Sequence, residues 1–349
     1  TRALARVLDS IAESDDAKAA MSRIWARRGY RPFPVALGAV RSALEDGAEP
    51  LVPHLSVTLS VALGIITILA IVAFIDHSAH AMDVSEILED VRRDATAQIH
   101  REWGPAGEAA ATTPAPDEVD GPGHAIAFDT AGWVQAIDKE RLLQALPPRS
   151  TLRLDTFPGR YALPGAPLGT LFPPPDDEAA ADRRARAALA IGDTRTTQQD
   201  VSYGLRQLVD VALKALSPGI NDPTTAQDAI FHAAAVLGDL LRCDPPPTTA
   251  TAPDGRCLLL PQQPTLEELV ALTFDEVRRA AAPHPTVCVY LLEALHLLVE
   301  VMTAAGLPSR ATPLEAQAEL VVAGAEMADL LPADLELVRL AHAKRFGPS

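Results

Sequence analysis

Aromatic residues make up only 4% of this 349-residue chain, cysteine occurs three times, and 30 Lys and Arg stand against 46 Asp and Glu. The formal net charge of −16 argues against a nucleic-acid binder, which must set clustered Lys and Arg against phosphates, and against docking on anionic lipid. Cys243, Cys257 and Cys288 form no CxxC and no paired spacing, so neither a disulfide framework nor a zinc site is expected. A reducing compartment suits the bulk of such a chain. The nucleotide-loop, zinc-protease and serine-hydrolase signatures (GxxxxGKS/T, HExxH, GxSxG) are also missing, and no cofactor is expected. With aromatics so few, the 48% apolar content is mostly Ala, Leu and Val, which suits packed helices better than a β-rich core.

What is present begins with LSVTLSVALGIITILAIVAFI, Leu55 to Ile75, 21 residues without a charge. About 20 such residues cross a ~30 Å hydrocarbon core. The run is apolar all round rather than along one stripe, so residues 51–80 read as a transmembrane helix. It is too long and too far from the start for a signal peptide. Arg41 precedes it, while Arg92 and Arg93 follow, which leans the C-terminal side inward. The expectation is a bacterial inner-membrane protein with its bulk in the cytoplasm and the lipid bilayer as a partner. The chain opens on Thr1 rather than Met, so upstream residues are expected. Residues 1–50, with the basic RIWARRGYRP, read as the remnant of a membrane or membrane-surface region.

After the span, Val84, Ile87, Leu88, Val91 and Ile99 recur at helical spacing and predict an amphipathic stalk over 81–103. Residues 104–122 are a linker by composition. HAIAFD and WVQAID, separated by TAG, read as a hairpin; the helix KERLLQAL, then STLRLDT and GRYALPGAPLGTL, complete a small β-barrel-like module over 123–172. Residues 173–349 read as a C-terminal helical domain, with a loop at DPPPTTATAPDG (Asp244–Gly255) and helices near 265–281, 286–305, 313–331 and 333–345. The predicted fold class is α+β, mainly α.

Two features invite a functional reading. The stretch SPGINDPTTA, Ser217 to Ala226, divides two amphipathic runs. Gly219 is placed to take the left-handed conformation that ends a helix, Asn221 or Asp222 to cap the next one, and Pro223 to occupy its first position. A structural corner of Ser217, Pro218, Gly219 and Pro223 explains most of it. The other reading is an anion at the helix start beside Thr224, which the carboxylate of Asp222 opposes. The second feature is a polar stripe of Arg195, Gln199, Asp200, Tyr203, Arg206 and Asp210, opposite an apolar face that includes Leu205, Leu208, Val209 and Ala212. It reads as a solvated face held by pairs such as Arg206–Asp210, or as a ligand or subunit contact. The candidate ligand or interface residues are therefore the stripe together with Asn221, Asp222 and Thr224; no catalytic residue is assigned. His77 and His80, three apart at the exit of the span, lack a third ligand, so no metal is expected.

FIDHSAHAMDVSEIL, GWVQAID, PGRYALPGAPL, TFDEVRRAA and above all RTTQQDVSYGLRQLVDVALKALSPGINDPTTA resemble a bacterial family of predicted membrane proteins, domain of unknown function 2254. The similarity runs from about Leu51 to the last helices. It implies a membrane-embedded N-terminal part with several spans and a large soluble part. This chain departs from that pattern in having one full-length span and in carrying Asp76–His77 where paired histidines are usual. Three functions are weighed: a homo-oligomeric channel- or transport-type assembly with a soluble vestibule or sensor, a membrane-tethered binding or scaffold module, and an enzyme using the Arg195–Asp210 stripe.

Overall fold

The computed structural model describes residues 54–80, 84–107 and 121–347, with side chains of the first helix described for 61–75. The N-terminal region expected over 1–50 and most of the linker expected over 104–122 lie outside the described residues. The chain divides into two units, Thr1–Asp76 and His77–Ser349. The first is represented by helix α1, which spans His54–His80 and runs on into the second unit. Its large apolar side chains are all exposed between Val61 and Ile75, from Ile71 at 51% to Phe74 at 70%. Thr67, the one hydroxyl-bearing residue in that stretch, turns its Oγ1 back to donate to Leu63 O at 2.8 Å, so the helix presents little but hydrocarbon.

The second unit holds two apolar clusters. One lies among helices. Helix α2 (Val84–Glu102) buries Leu88, Ala95 and Ile99 and turns its acidic and basic residues outward. A short pair of strands, β1 (Gly104–Pro105) and β8 (Cys243–Asp244), follows from the start of the expected linker. Helices α5 (Val201–Ala215) and α6 (Pro223–Leu241) form an antiparallel pair that α2 packs across. Helix α7 (Leu266–Ala281) lies against α5, and α8 (Pro285–Ala304) against α6. Helices α9 (Thr312–Met327) and α10 (Pro332–Phe346) complete the bundle against α8. The apolar face read for α5 is the buried one: Leu205, Leu208, Val209 and Ala212 are at most 1% exposed.

The other cluster lies among strands, and here the expected barrel does not close. Strands β2 (His124–Ala127), β6 (Pro167–Phe172), β4 (Thr151–Leu154), β10 (Cys257–Leu259) and β9 (Thr249–Thr251) form one open sheet in that order. Strands β5 (Tyr161–Ala162), β3 (Gly132–Ile137) and β7 (Leu189–Gly192) form a second. The expected hairpin between HAIAFD and WVQAID is absent, because the donors and acceptors just past β2 are already taken. Phe128 N donates to Ala166 O at 2.9 Å, and Gly165 N donates to Phe128 O at 2.8 Å. Gly132, at φ 150°, then turns the chain into the other sheet. The stretch read as a loop at 244–255 contains β9, and the run after helix α4 (Glu178–Arg186) becomes β7 rather than more helix. Helix α3 (Lys139–Ala145) and α4 cover the sheets, with Leu142 and Ala185 buried against them.

Two tests follow from this packing. A Cβ added at Gly204 of α5 would lie 2.6 Å from Cβ of Ala95 on α2. Gly204→Val should therefore lower unfolding stability by about 1–3 kcal/mol, read from the denaturant midpoint. Separately, Glu89 accepts from Arg92 at 2.7 Å, and this bond, aided by Arg93 and His232, holds its carboxyl down at about 2. An unfolded glutamate titrates near 4.3, so the folded protein binds fewer protons between those values. The stabilisation is complete above about pH 4.3 and lost as pH falls towards about 2; Glu89→Gln should flatten that part of the stability–pH curve.

Candidate functional site

A cleft of about 420 Å³ opens in the second unit where its parts meet. The end of α2 supplies Glu102 and Trp103, the start of α3 supplies Lys139, and the loop after β4 supplies Thr156, Phe157 and Pro158. The remaining walls are Ile137 of β3, Pro246, residues of the segment Arg195–Ser202 and the turn Leu260–Leu269 that leads into α7.

Asp200 organises one wall. It is the N-cap of α5, and its Oδ1 accepts from Tyr203 N at 3.1 Å while its Oδ2 accepts from Arg195 Nε at 2.6 Å. Its side chain is 5% exposed, and burial pushes its carboxyl up from the ordinary value, against the Arg195 guanidinium and the Tyr203 amide, which both favour the ionised form. The Arg195 guanidinium lies between two rings, its Cζ 4.9 Å from the centre of Tyr203 and 5.7 Å from that of Trp133. The loop over the pair has to be glycine at Gly159. Its φ is 92°, and an added Cβ would fall 2.0 Å from Asp200 Oδ2. Gln199 is spent on the scaffold: its Oε1 accepts from Ile137 N at 2.8 Å, extending the end of β3 with a side-chain amide.

The rest of the stripe is elsewhere. Tyr203 faces a second, shallower hollow on the far side of Arg195, with Asp90 and Asp94 of α2. Arg206 pairs with Asp210 at 2.8 Å and reaches Glu276 of α7 at 2.6 Å, so it ties two helices together. Asn221, Asp222 and Thr224 sit beyond the opposite end of α5, roughly 20 Å along the helix from Asp200 at 1.5 Å per residue. His77 and His80 belong to the last turn of α1, and their side chains lie outside the described ones.

The family described as a predicted membrane protein, domain of unknown function 2254, matches residues 34–296. The chain belongs to this family. The matched stretch contains every residue that lines the cleft. Uncharacterised proteins of Mycobacterium bovis and of two strains of Mycobacterium tuberculosis are similar to it, 30% identical over 285 residues, which is 79% of this chain and 53% of theirs. The chain thus spans about half the length of the curated relatives it matches. No solved structure matches it.

Within this family member, sequence reasoning found Arg195, Gln199 and Asp200 but missed Thr156, Lys139, Trp103 and Gly159. Those residues come from separate segments, and only PGR after Thr156 carried a local signal, that of a turn. The corner has the expected outline and differs from expectation at one residue. The left-handed position is Asn221, at φ 48°, and not Gly219. Asp222 is the cap, accepting from Thr224 N and Thr225 N at 3.1 Å each and from Thr225 Oγ1 at 2.6 Å, and these bonds hold its carboxyl below the usual range. With its oxygens committed to the helix donors, Asp222 takes the place an anion would occupy.

The corner gives a paired test. A Cβ on Gly219 would meet nothing within 4 Å, so Gly219→Ala should leave stability within about 0.5 kcal/mol, whereas Asn221→Val should cost about 1–3 kcal/mol. Asn221→Gly should match the parent, as measured by chemical denaturation.

Proposed function

We propose that the protein is a membrane-anchored binding module: helix α1 holds it in a bacterial plasma membrane, and the cleft of the second unit takes a small ligand. The single observation that carries this is the cleft itself. Its volume lies within the usual ligand-pocket range, and its lining mixes apolar residues such as Trp103, Phe157 and Leu269 with polar and charged ones such as Arg195, Asp200 and Gln263. Anchoring by α1 is supported by the exposure of every large apolar side chain described on it, from Val61 to Ile75. Helix α8 is comparably apolar, but it is a core helix: Val287, Leu291, Leu292, Leu295 and Met302 are fully buried among its neighbours. A cytoplasmic location of the second unit is supported by Arg92 and Arg93 and by three buried free thiols.

A symmetric assembly is the second reading, favoured by the outer face of α10. Ala333, Leu337, Leu340 and Lys344 are exposed at seam-like spacing, beside Met327 at 91% and Leu331 at 70% exposure. A second copy laid antiparallel would set the acidic first turn (Asp334) against the basic last turn (Lys344). Conduction rests on that assembly. An enzymatic use of the stripe gains no support, because Arg195, Asp200, Tyr203 and Asn221 do not surround one cavity.

Thermal-shift screening of small metabolites on the full chain in detergent tests the binding reading. Ligands should raise Tm for the parent and lose that effect when Ser202→Trp fills the cleft; a ligand at about 100-fold its Kd stabilises by about 2.7 kcal/mol. Shifts that persist in Ser202→Trp, or no shift from any compound, would overturn it. Native mass spectrometry decides the second reading: a single protomer in its micelle excludes the symmetric assembly.

A further inference from the structure

The cleft contains a hydroxyl with nothing to bond. Thr156 is 0% exposed, and its Oγ1 has no hydrogen-bond partner among the described residues. A buried polar atom left in that state destabilises the empty protein, so its retention needs an explanation. Arg195 lines the same cleft and is only partly used. Its Nε engages Asp200, while its two terminal nitrogens make no hydrogen bond to the described residues. Asp200 and the flanking rings of Tyr203 and Trp133 fix the orientation of that guanidinium, so its free edge is presented at little entropic cost.

The other charges in the cleft are already committed. Lys139 Nζ lies 3.8 Å from Glu102 Oε2, and Glu268 Oε2 accepts from Thr265 N at 2.8 Å in the capping box of α7. Two cations, Arg195 and Lys139, face three carboxylates, Glu102, Asp200 and Glu268. This balance does not suit a dianion such as a phosphate monoester, whereas a single carboxylate needs only the donors that are free. Beside these groups part of the wall is apolar: Trp103, Ile137, Phe157, Leu260 and Leu269 line the same space, together with the uncharged polar residues Ser202, Gln262 and Gln263.

We propose that the cleft binds a small monocarboxylate with an apolar body, its carboxylate on the terminal nitrogens of Arg195 and on the Thr156 hydroxyl, its body against Trp103 and Phe157. This rests on the cleft being a ligand site. It adds the chemical class, and with it a stability signature: the same hydroxyl that weakens the empty protein strengthens the complex.

The test uses the full chain in detergent micelles with phenylacetate, 3-phenylpropionate and 4-methylpentanoate as probes. Phenylacetamide and phenyl phosphate serve as the neutral and dianionic comparisons. Tryptophan fluorescence reports directly, since two of the chain's three tryptophans are at the site, Trp103 in the cleft wall and Trp133 beside Arg195. At least one monocarboxylate should bind saturably, with phenylacetamide and phenyl phosphate about tenfold weaker or worse than phenylacetate. Thr156→Val, which keeps the shape, should weaken carboxylate binding about tenfold while the Tm of the unliganded protein stays level or rises. Arg195→Gln should weaken it further, and Thr156→Val keeps the proposal testable where the Arg195 variant fails to fold. Equal binding of amide and acid, undiminished binding by Thr156→Val, or no saturable change with any of the three acids would overturn the proposal. Where the metabolite screen still yields ligands that Ser202→Trp abolishes, only the carboxylate class falls; where it yields none, the cleft is not a ligand site.

Discussion

A carboxylate removed from water must be given donors or it does not stay ionised, and Asp200 receives two kinds at once. One oxygen closes the N-terminus of α5 through Tyr203 N, and the other holds Arg195. Because the first bond belongs to a helix and the second to a loop, a single buried side chain locks the segment 195–200 to the start of the largest apolar cluster. The loop at Gly159 can approach only because it has no Cβ, which brings Thr156 and Phe157 to the same place. The cleft is therefore not a gap left by loose packing. It is the space that remains once Asp200, Arg195 and Gly159 have been fitted together.

The helical part of this fold is legible from residue patterns, and the reasons are local. Leu205, Leu208, Val209 and Ala212 recur at helical spacing and are buried; Asp222 and Pro223 announce a helix start that is found where expected. The strands are less legible because their partners are distant in sequence. Strand β10 lies parallel to β4, Cys257 opposite Thr151, over a separation of about a hundred residues that no short-range signal encodes. The three-residue gap TAG suggested a hairpin on local grounds, and longer-range hydrogen bonds from Phe128 decided otherwise. The same limit applies to the cleft. Arg195, Gln199 and Asp200 are neighbours in sequence and were found together, whereas Thr156 and Trp103 join them only through the tertiary fold.

The corner at 217–226 shows how a correct local reading can still misplace its cause. Glycine is the usual residue for a left-handed turn, so Gly219 drew the assignment. The chain instead delays the left-handed step until Asn221, whose short polar side chain tolerates it, and Asp222 N then donates back to Ala215 O at 2.8 Å. That bond joins the end of α5 to the start of α6 and fixes the antiparallel pair. A specific-looking motif thus serves the scaffold, while the candidate cleft lies at the other end of the same helix.

Composition alone does not separate a membrane helix from a core helix, and α1 and α8 make the point within one chain. Both are long and apolar. Helix α8 spends its leucines on α6, α9 and α10, and its polar residues have protein partners, as where Glu293 pairs with Arg345. From Val61 to Ile75, α1 has no polar group left to satisfy, since Thr67 bonds its own backbone, and its leucines and isoleucines face outward on every side. In water each such side chain would forgo about 1.5–3 kcal/mol of burial, far more in sum than the marginal stability of a typical domain. The two helices therefore differ in what surrounds their apolar side chains and not in how apolar they are: α8 is enclosed by its neighbours, whereas the described side chains of α1, Val61 to Ile75, are exposed, as a helix facing hydrocarbon would have them.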